Sequence, residues 1–110
     1  MIEALLLPVA AFYLLWALYI IVMSLQRARR DGTLSMPALI LGAPLIVAGV
    51  ALDAILNLTI MSAVMLERPK EWLVTARLKR HCGQPTWRGA IARWMCQNLL
   101  DTFDPDGRHC

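Results

Sequence analysis

The stretch from Met36 to Leu66 reads MPALILGAPLIVAGVALDAILNLTIMSAVML, thirty-one residues in which Asp53 is the sole ionisable side chain. An apolar run of that length has few homes. As a helix it extends about 46 Å at 1.5 Å per residue, more than the roughly 30 Å hydrocarbon core of a bilayer. It therefore crosses a membrane once with length to spare, so that part of it tilts, breaks or lies flat. Gly42-Ala43-Pro44 is the expected break, with a span over about residues 40–64. A span from about Pro44 to Leu66 places Asp53 near its middle, whereas one from about Pro37 to Leu58 brings Asp53 and Asn57 close to the far interface. An aspartate at the bilayer centre costs from about 3 kcal/mol on insertion scales to more than about 10 kcal/mol in simulations, so it calls for a partner, a wet cavity or an interfacial position.

A second apolar run precedes it. Residues 4–25, ALLLPVAAFYLLWALYIIVMSL, carry no charge over twenty-two positions, about 33 Å of helix and enough for one crossing. Glu3 stands before this run with no Lys or Arg, and the run exceeds the 7–15 residues usual for a signal-peptide core, so it is expected to be a retained span. Between the runs, Arg27, Arg29 and Arg30 end the first helix and Asp31-Gly32 supplies a turn. Ser35 is placed to cap the second helix, with Pro37 in its first turn. On a helical wheel Gly42, Gly49, Asp53 and Asn57 fall within about 80° of one another, a small and polar face suited to packing on the first helix or on another copy. An ion or proton site at Asp53 is the functional alternative.

Hydrophobic residues make up 58% of the 110 residues and charged ones 17%, and the two kinds are segregated along the chain. Residues 67–110 hold eight of the eleven Lys and Arg and three of the four tryptophans. One helix is expected to start in Glu67-Arg68-Pro69-Lys70-Glu71, with Pro69 in its first turn, and to run to about His81, closed by Gly83; another is expected from Thr86 to about Leu100. Trp72, Trp87 and Trp94 interleave with Arg77, Lys79, Arg80, Arg88 and Arg93, a pattern suited to the headgroup boundary, with anionic lipid as the partner. No nucleic-acid partner is expected. The sequence thus predicts an all-α membrane protein, with a two-helix transmembrane hairpin over residues 1–66 and two short amphipathic helices at the membrane surface over 67–110.

His81, Cys82, Cys96, His109 and Cys110 are the weak metal-ligand candidates. Thirteen residues separate each cysteine from the next, unlike the close pairs of structural zinc sites. No metal and no cofactor are expected. Three cysteines argue against a closed disulfide framework and for a reducing compartment. The three aspartates near the end lack the spacing of a calcium loop. No nucleophile elbow, phosphate loop, zinc-protease motif or carboxylate pair occurs, which favours a non-enzyme.

The order of the chain can be compared as a whole. A span, a basic loop ending in Asp31-Gly32-Thr33-Leu34, a second span with Leu52-Asp53 and Asn57, then Arg68-Pro69-Lys70-Glu71, Thr75-Ala76-Arg77, Arg80-His81, Gly89, Arg93-Trp94, Cys96 and the segment Leu99 to Cys110 resemble small membrane proteins encoded by tailed bacteriophages and prophages of Gram-negative bacteria. The resemblance covers nearly the whole chain and implies the inner membrane of the host. It carries over no functional residues. The resulting expectation is a non-enzymatic inner-membrane protein that self-associates or binds another membrane protein. A holin-like lysis protein and a small ion- or proton-conducting subunit using Asp53 are the alternatives. Arg68, Lys70, Arg77, Lys79 and Arg80 outnumber the three arginines of the loop, which predicts both termini in the cytoplasm. The first helix alone, acidic before and basic after, asks for the opposite.

Overall fold

Helix α1 runs from Ile2 to Arg30 in the computed structural model, which describes all 110 residues. Its end follows from three features. Arg27, Arg29 and Arg30 place positive charge on the last carbonyls, where the helix dipole favours it. Gly32 takes a left-handed φ of 73°, and the amides of Asp31, Gly32 and Thr33 turn back onto the carbonyls of Arg27, Arg29 and Ala28 at 2.9, 3.2 and 2.9 Å. Helix α2, Met36–Leu58, starts where the Ser35 hydroxyl accepts the amide hydrogen of Ala38 at 3.3 Å.

The chain divides into two compact units, Met1–Leu52 and Asp53–Cys110, with the boundary inside α2. In the first unit Gly42 lies against Leu25 and Gly49 against Leu18 and Val22, so sequence numbers rise on α2 as they fall on α1: an antiparallel hairpin. α1 buries only Leu18 and Met23. Both α1 and the stretch Met36–Met65 are long and apolar enough to cross a membrane.

The expected break at Gly42-Ala43-Pro44 does not occur. α2 passes through Pro44, because one missing amide removes a single helical bond and the apolar residues on either side keep the helix favoured. The interruption comes instead at Thr59, with φ −108° and ψ −82°. There the Thr59 hydroxyl donates to the Ile55 carbonyl at 2.7 Å and the Ser62 hydroxyl to the Asn57 carbonyl at 3.1 Å. Hydroxyls that bond back to helix carbonyls compete with the backbone ladder and bend it. A short helix α3, Ile60–Met65, follows and stops at Leu66, whose φ of 50° is left-handed in a residue that bears a side chain.

The second unit is built on α4, Val74–Cys82, and α5, Trp87–Met95, which pack on each other. α5 continues as a π-helical turn, Cys96–Leu100. Leu56, Met61, Met65, Val74, Leu78, Ala92 and Cys96 are its buried apolar residues, with Asn57, Arg77 and His81 buried among the polar ones. α5 begins where the Thr86 hydroxyl accepts the Gly89 amide hydrogen at 3.1 Å. Gly89 is required for close approach: a Cβ there would stand 2.0 Å from the Gln84 carbonyl oxygen and 2.8 Å from that of His81. The unit therefore starts at Asp53, fourteen residues before the boundary expected at Glu67, because the last turns of α2 belong to its core.

Candidate functional site

Asp53 and Asn57, one helical turn apart at the end of α2, both face the backbone that leads into α4. Asp53 Oδ1 accepts the amide hydrogen of Val74 at 2.9 Å. Val74 is the first residue of α4, and its N-cap, Leu73, has no capping oxygen, so Asp53 supplies from another helix the acceptor and negative charge that a helix start favours. The Asn57 side-chain amide donates to the Glu71 carbonyl. Gly42 and Gly49 share the wheel position of Asp53 and Asn57 but pack on α1. The polar residues organise the second unit and the glycines the first.

Beside these two lies a cluster of ions. Glu67 Oε1 is 2.7 Å from Arg80 Nη2, 2.7 Å from His81 Nε2 and 4.0 Å from Arg77 Nε. Arg80 also pairs with Glu71. Burial alone would raise the Glu67 carboxyl, but hydrogen bonds from His81 and Arg80 outweigh it and hold the group below its ordinary value. The bond to Glu71 raises the Arg80 guanidinium. Arg77 is 0% exposed. Its Nη2 donates to the Ser62 hydroxyl at 3.1 Å, which itself donates to the Asn57 carbonyl, while its Nε and Nη1 and the Asn57 Oδ1 have no hydrogen-bond partner. Burial pushes the Arg77 guanidinium down, and Glu67 and Glu71 oppose that.

The basic residues expected to face lipid thus separate into two groups. Arg77 is buried, Arg80 is held by two carboxylates, Arg88 donates to the Met65 carbonyl at 2.6 Å and the Leu66 carbonyl at 3.3 Å, and Arg93 donates to the Cys82 and Gln84 carbonyls at 3.0 and 2.8 Å. Arg88 and Arg93 sit within the fold because helix ends leave carbonyls without partners and guanidinium groups satisfy them, whereas Arg77 and Arg80 are held by the Ser62 hydroxyl and by the Glu67 and Glu71 carboxylates. Lys79 is exposed, as are Arg68, Lys70 and Arg108. Trp72, Trp87 and Trp94 are all exposed, and the Arg88 guanidinium lies 4.7 Å over the Trp87 ring.

The cysteine and histidine candidates do not converge as ligands: no group of three or more His, Cys, Asp or Glu side chains is placed to hold a metal. Cys96 and Cys110 instead form a disulfide, contrary to the expectation from an odd cysteine number, and Cys82 is the free thiol. A separation of 14 in sequence is closed in space because the final segment folds back. Its turn is fixed by Gly107 at φ 73° and by the Asp104 carboxylate, which accepts the Asp106 amide hydrogen at 2.8 Å. His109 follows: its amide donates to Asp101 Oδ1 at 2.8 Å, its Nδ1 meets Asp104 Oδ2 at 2.8 Å and its Nε2 meets Thr75 Oγ1 at 3.2 Å. This carboxylate–imidazole–hydroxyl series has the bonding order of a hydrolytic triad. In this fold it ties the closing segment to α4.

Around the first unit the surface is apolar. Leu5 and Leu7 on α1 are 69% and 75% exposed, and Leu41 and Val47 on α2 76% and 70%. Ile2, Leu6, Val9, Tyr13, Ile40 and Val50 are exposed as well. The chain matches no protein-family model, and neither curated proteins nor solved structures yield a match. Of the polar residues of the second unit, Glu67, Glu71, Ser62 and Thr75 are given no site role by the sequence alone. The signal that could have found Glu67 and Glu71 is their spacing to Arg77, Arg80 and His81, acids placed just ahead of bases on either side of a helix start.

Proposed function

We propose that this chain is a non-enzymatic integral protein of a bacterial inner membrane, of the phage- or prophage-encoded kind its sequence resembles, and that it acts by associating with copies of itself or with another membrane protein. The observation that carries the membrane part is the exposed apolar surface of α1 and α2. Large aliphatic side chains lie open over several turns of both helices, whereas water-soluble monomers rarely show contiguous apolar patches beyond about 300–600 Å². Lipid or a second membrane helix covers such a surface.

In this reading α1 crosses once, and the stretch Met36–Met65 crosses again. The Asp53 carboxylate is committed to an α4 amide. That commitment favours association over conduction through Asp53. The exposed Trp72, Trp87 and Trp94, with Arg68, Lys70, Lys79 and Arg108, suit the headgroup boundary. The attraction to anionic lipid comes from four exposed cations at about 1 kcal/mol each. Two measurements test the proposal: resistance of the full chain to alkaline carbonate extraction from membranes, and crosslinking within the bilayer. Both are expected to be positive, with no loss of membrane integrity on expression. Abrupt lysis would instead establish the holin-like role, and a pH-linked current abolished by Asp53→Asn would establish conduction.

A further inference from the structure

We propose that the Cys96–Cys110 disulfide lies on the oxidising face of the membrane and the Arg27–Arg30 loop on the reducing face. This rests on the membrane reading above and reverses the orientation that a bare count of basic residues gives.

The disulfide is the first reason. Cys96 is buried on the π-helical turn, and the Cα atoms of Cys96 and Cys110 are 6.0 Å apart, inside the usual range. The pairing is not left to a free tail. Asp104 fixes the turn, Asp101 holds the His109 amide, and Thr75 and Asp104 hold its ring, so noncovalent bonds on the preceding residue bring Cys110 to Cys96. Such a bond persists in an oxidising compartment and is kept reduced in a cytoplasm. On a bacterial inner membrane the oxidising face is the periplasmic one.

Charge is the second reason. Three arginines sit within the last turn of α1, while Glu3 lies at its other end, and the first span usually sets the orientation. With that loop in the cytoplasm, a single crossing by the second apolar stretch, Met36–Met65, delivers the cysteines that follow it to the opposite face. Arg68, Lys70, Arg77, Lys79 and Arg80 outnumber the loop and oppose this, and the disulfide decides between the two arguments.

The chemistry balances as a thiol–disulfide exchange. The more accessible Cys110 thiolate attacks the disulfide of an oxidoreductase resident in that compartment, forming a mixed disulfide. The Cys96 thiolate then attacks the Cys110 sulfur and releases the oxidoreductase as its dithiol. The two protons and two electrons of the cysteine thiols pass to that partner, and Cys82 stays reduced.

The test uses the full chain in intact cells. Thiols are trapped with a maleimide reagent that adds mass and are counted on gels with and without prior reduction. In parallel, a phosphatase reporter that folds only in an oxidising compartment is fused after Cys110. One reactive thiol rising to three after reduction, with an active reporter, is the expected result. In Cys110→Ser the count before reduction rises to two. A Thr33→Cys variant, whose added thiol lies in the loop, should react with membrane-permeant maleimide and not with an impermeant one, and it does not depend on folding of the second unit. Three reactive thiols before reduction, an inactive reporter, or an impermeant-reactive Cys at position 33 would overturn the orientation. Release of the chain by alkaline carbonate would instead overturn the membrane reading on which it rests.

Discussion

Replacing Glu67 tests whether the ion cluster holds the second unit together. Its Oε1 lies 2.7 Å from both Arg80 and His81 and 4.0 Å from Arg77. Removing one partner of a buried ion pair costs about 3–5 kcal/mol, because the other charge is left uncompensated. Glu67 is 16% exposed and Arg80 keeps Glu71, which places Glu67→Ala near the lower end, about 3 kcal/mol. Glu67→Gln keeps an acceptor of the same shape and exchanges charge-assisted hydrogen bonds for neutral ones, a loss of about 1–2 kcal/mol. The sign with pH follows from the lowered carboxyl. Its contribution is complete above the unfolded value near 4.5 and fades as pH falls through the lower folded value. The parent should therefore lose stability on acidification below pH 4.5 more steeply than Glu67→Gln. Urea titration in mild detergent, followed by tryptophan fluorescence, reports chiefly on this unit, which holds Trp72, Trp87 and Trp94. A change below about 0.5 kcal/mol in Glu67→Ala, the size of an ordinary surface substitution, or identical acid slopes in parent and Glu67→Gln, would refute the reasoning.

Asp53→Ala removes the cap on α4 and should destabilise the same unit by about 1–2 kcal/mol in that titration, whereas Asp53→Asn retains an acceptor oxygen and should lose less than half of that. Equal losses in the two would show that charge rather than capping matters. Gly89→Ala should destabilise by at least about 3 kcal/mol, the top of the overpacking range, because the clashing atoms at 2.0 and 2.8 Å are backbone oxygens; a normal urea midpoint would contradict the close approach. Gly49→Ala places its Cβ at an ordinary 3.6 Å from Leu18, so its membrane level should match the parent. Thr75→Val and His109→Ala should each lower stability by about 1 kcal/mol, with no ester-hydrolysing activity in the parent; hydrolysis that disappears in Thr75→Val would make this bonded series a catalytic one.

The two long apolar helices were legible from residue type alone, since apolar runs of more than twenty residues with at most one ionisable side chain have few alternatives. The arginines after α1 and the Ser35 cap were legible for the same local reason. Pro44 misled because proline weakens a helix without deciding it, and Thr59 was overlooked because its effect arises from a hydroxyl bond to Ile55 that hydropathy does not register. The amphipathic reading of the tail found α4 and α5 but gave Arg77, Arg80, Arg88 and Arg93 to the lipid. A helical wheel records which residues share a side; it does not record that carbonyls at Met65, Leu66, Cys82 and Gln84 need donors. The Cys96–Cys110 pair was hidden by counting, since an odd number says only that one thiol is left over.

The bonds from Asp53 and Asn57 to the backbone before and within α4 also bear on how this protein can be divided. A fragment cut at Glu67 would leave behind Leu56, Met61 and Met65, which are core, and with them the acceptor that starts α4. A fragment cut at Asp53 keeps these but carries Ile55, Leu58 and Val64 open to solvent. Neither cut separates the apolar hairpin cleanly from the unit that follows it. Folding of α2 and folding of the segment that follows it are thus parts of one assembly process, in which the end of α2 serves as the template for the first turn of α4.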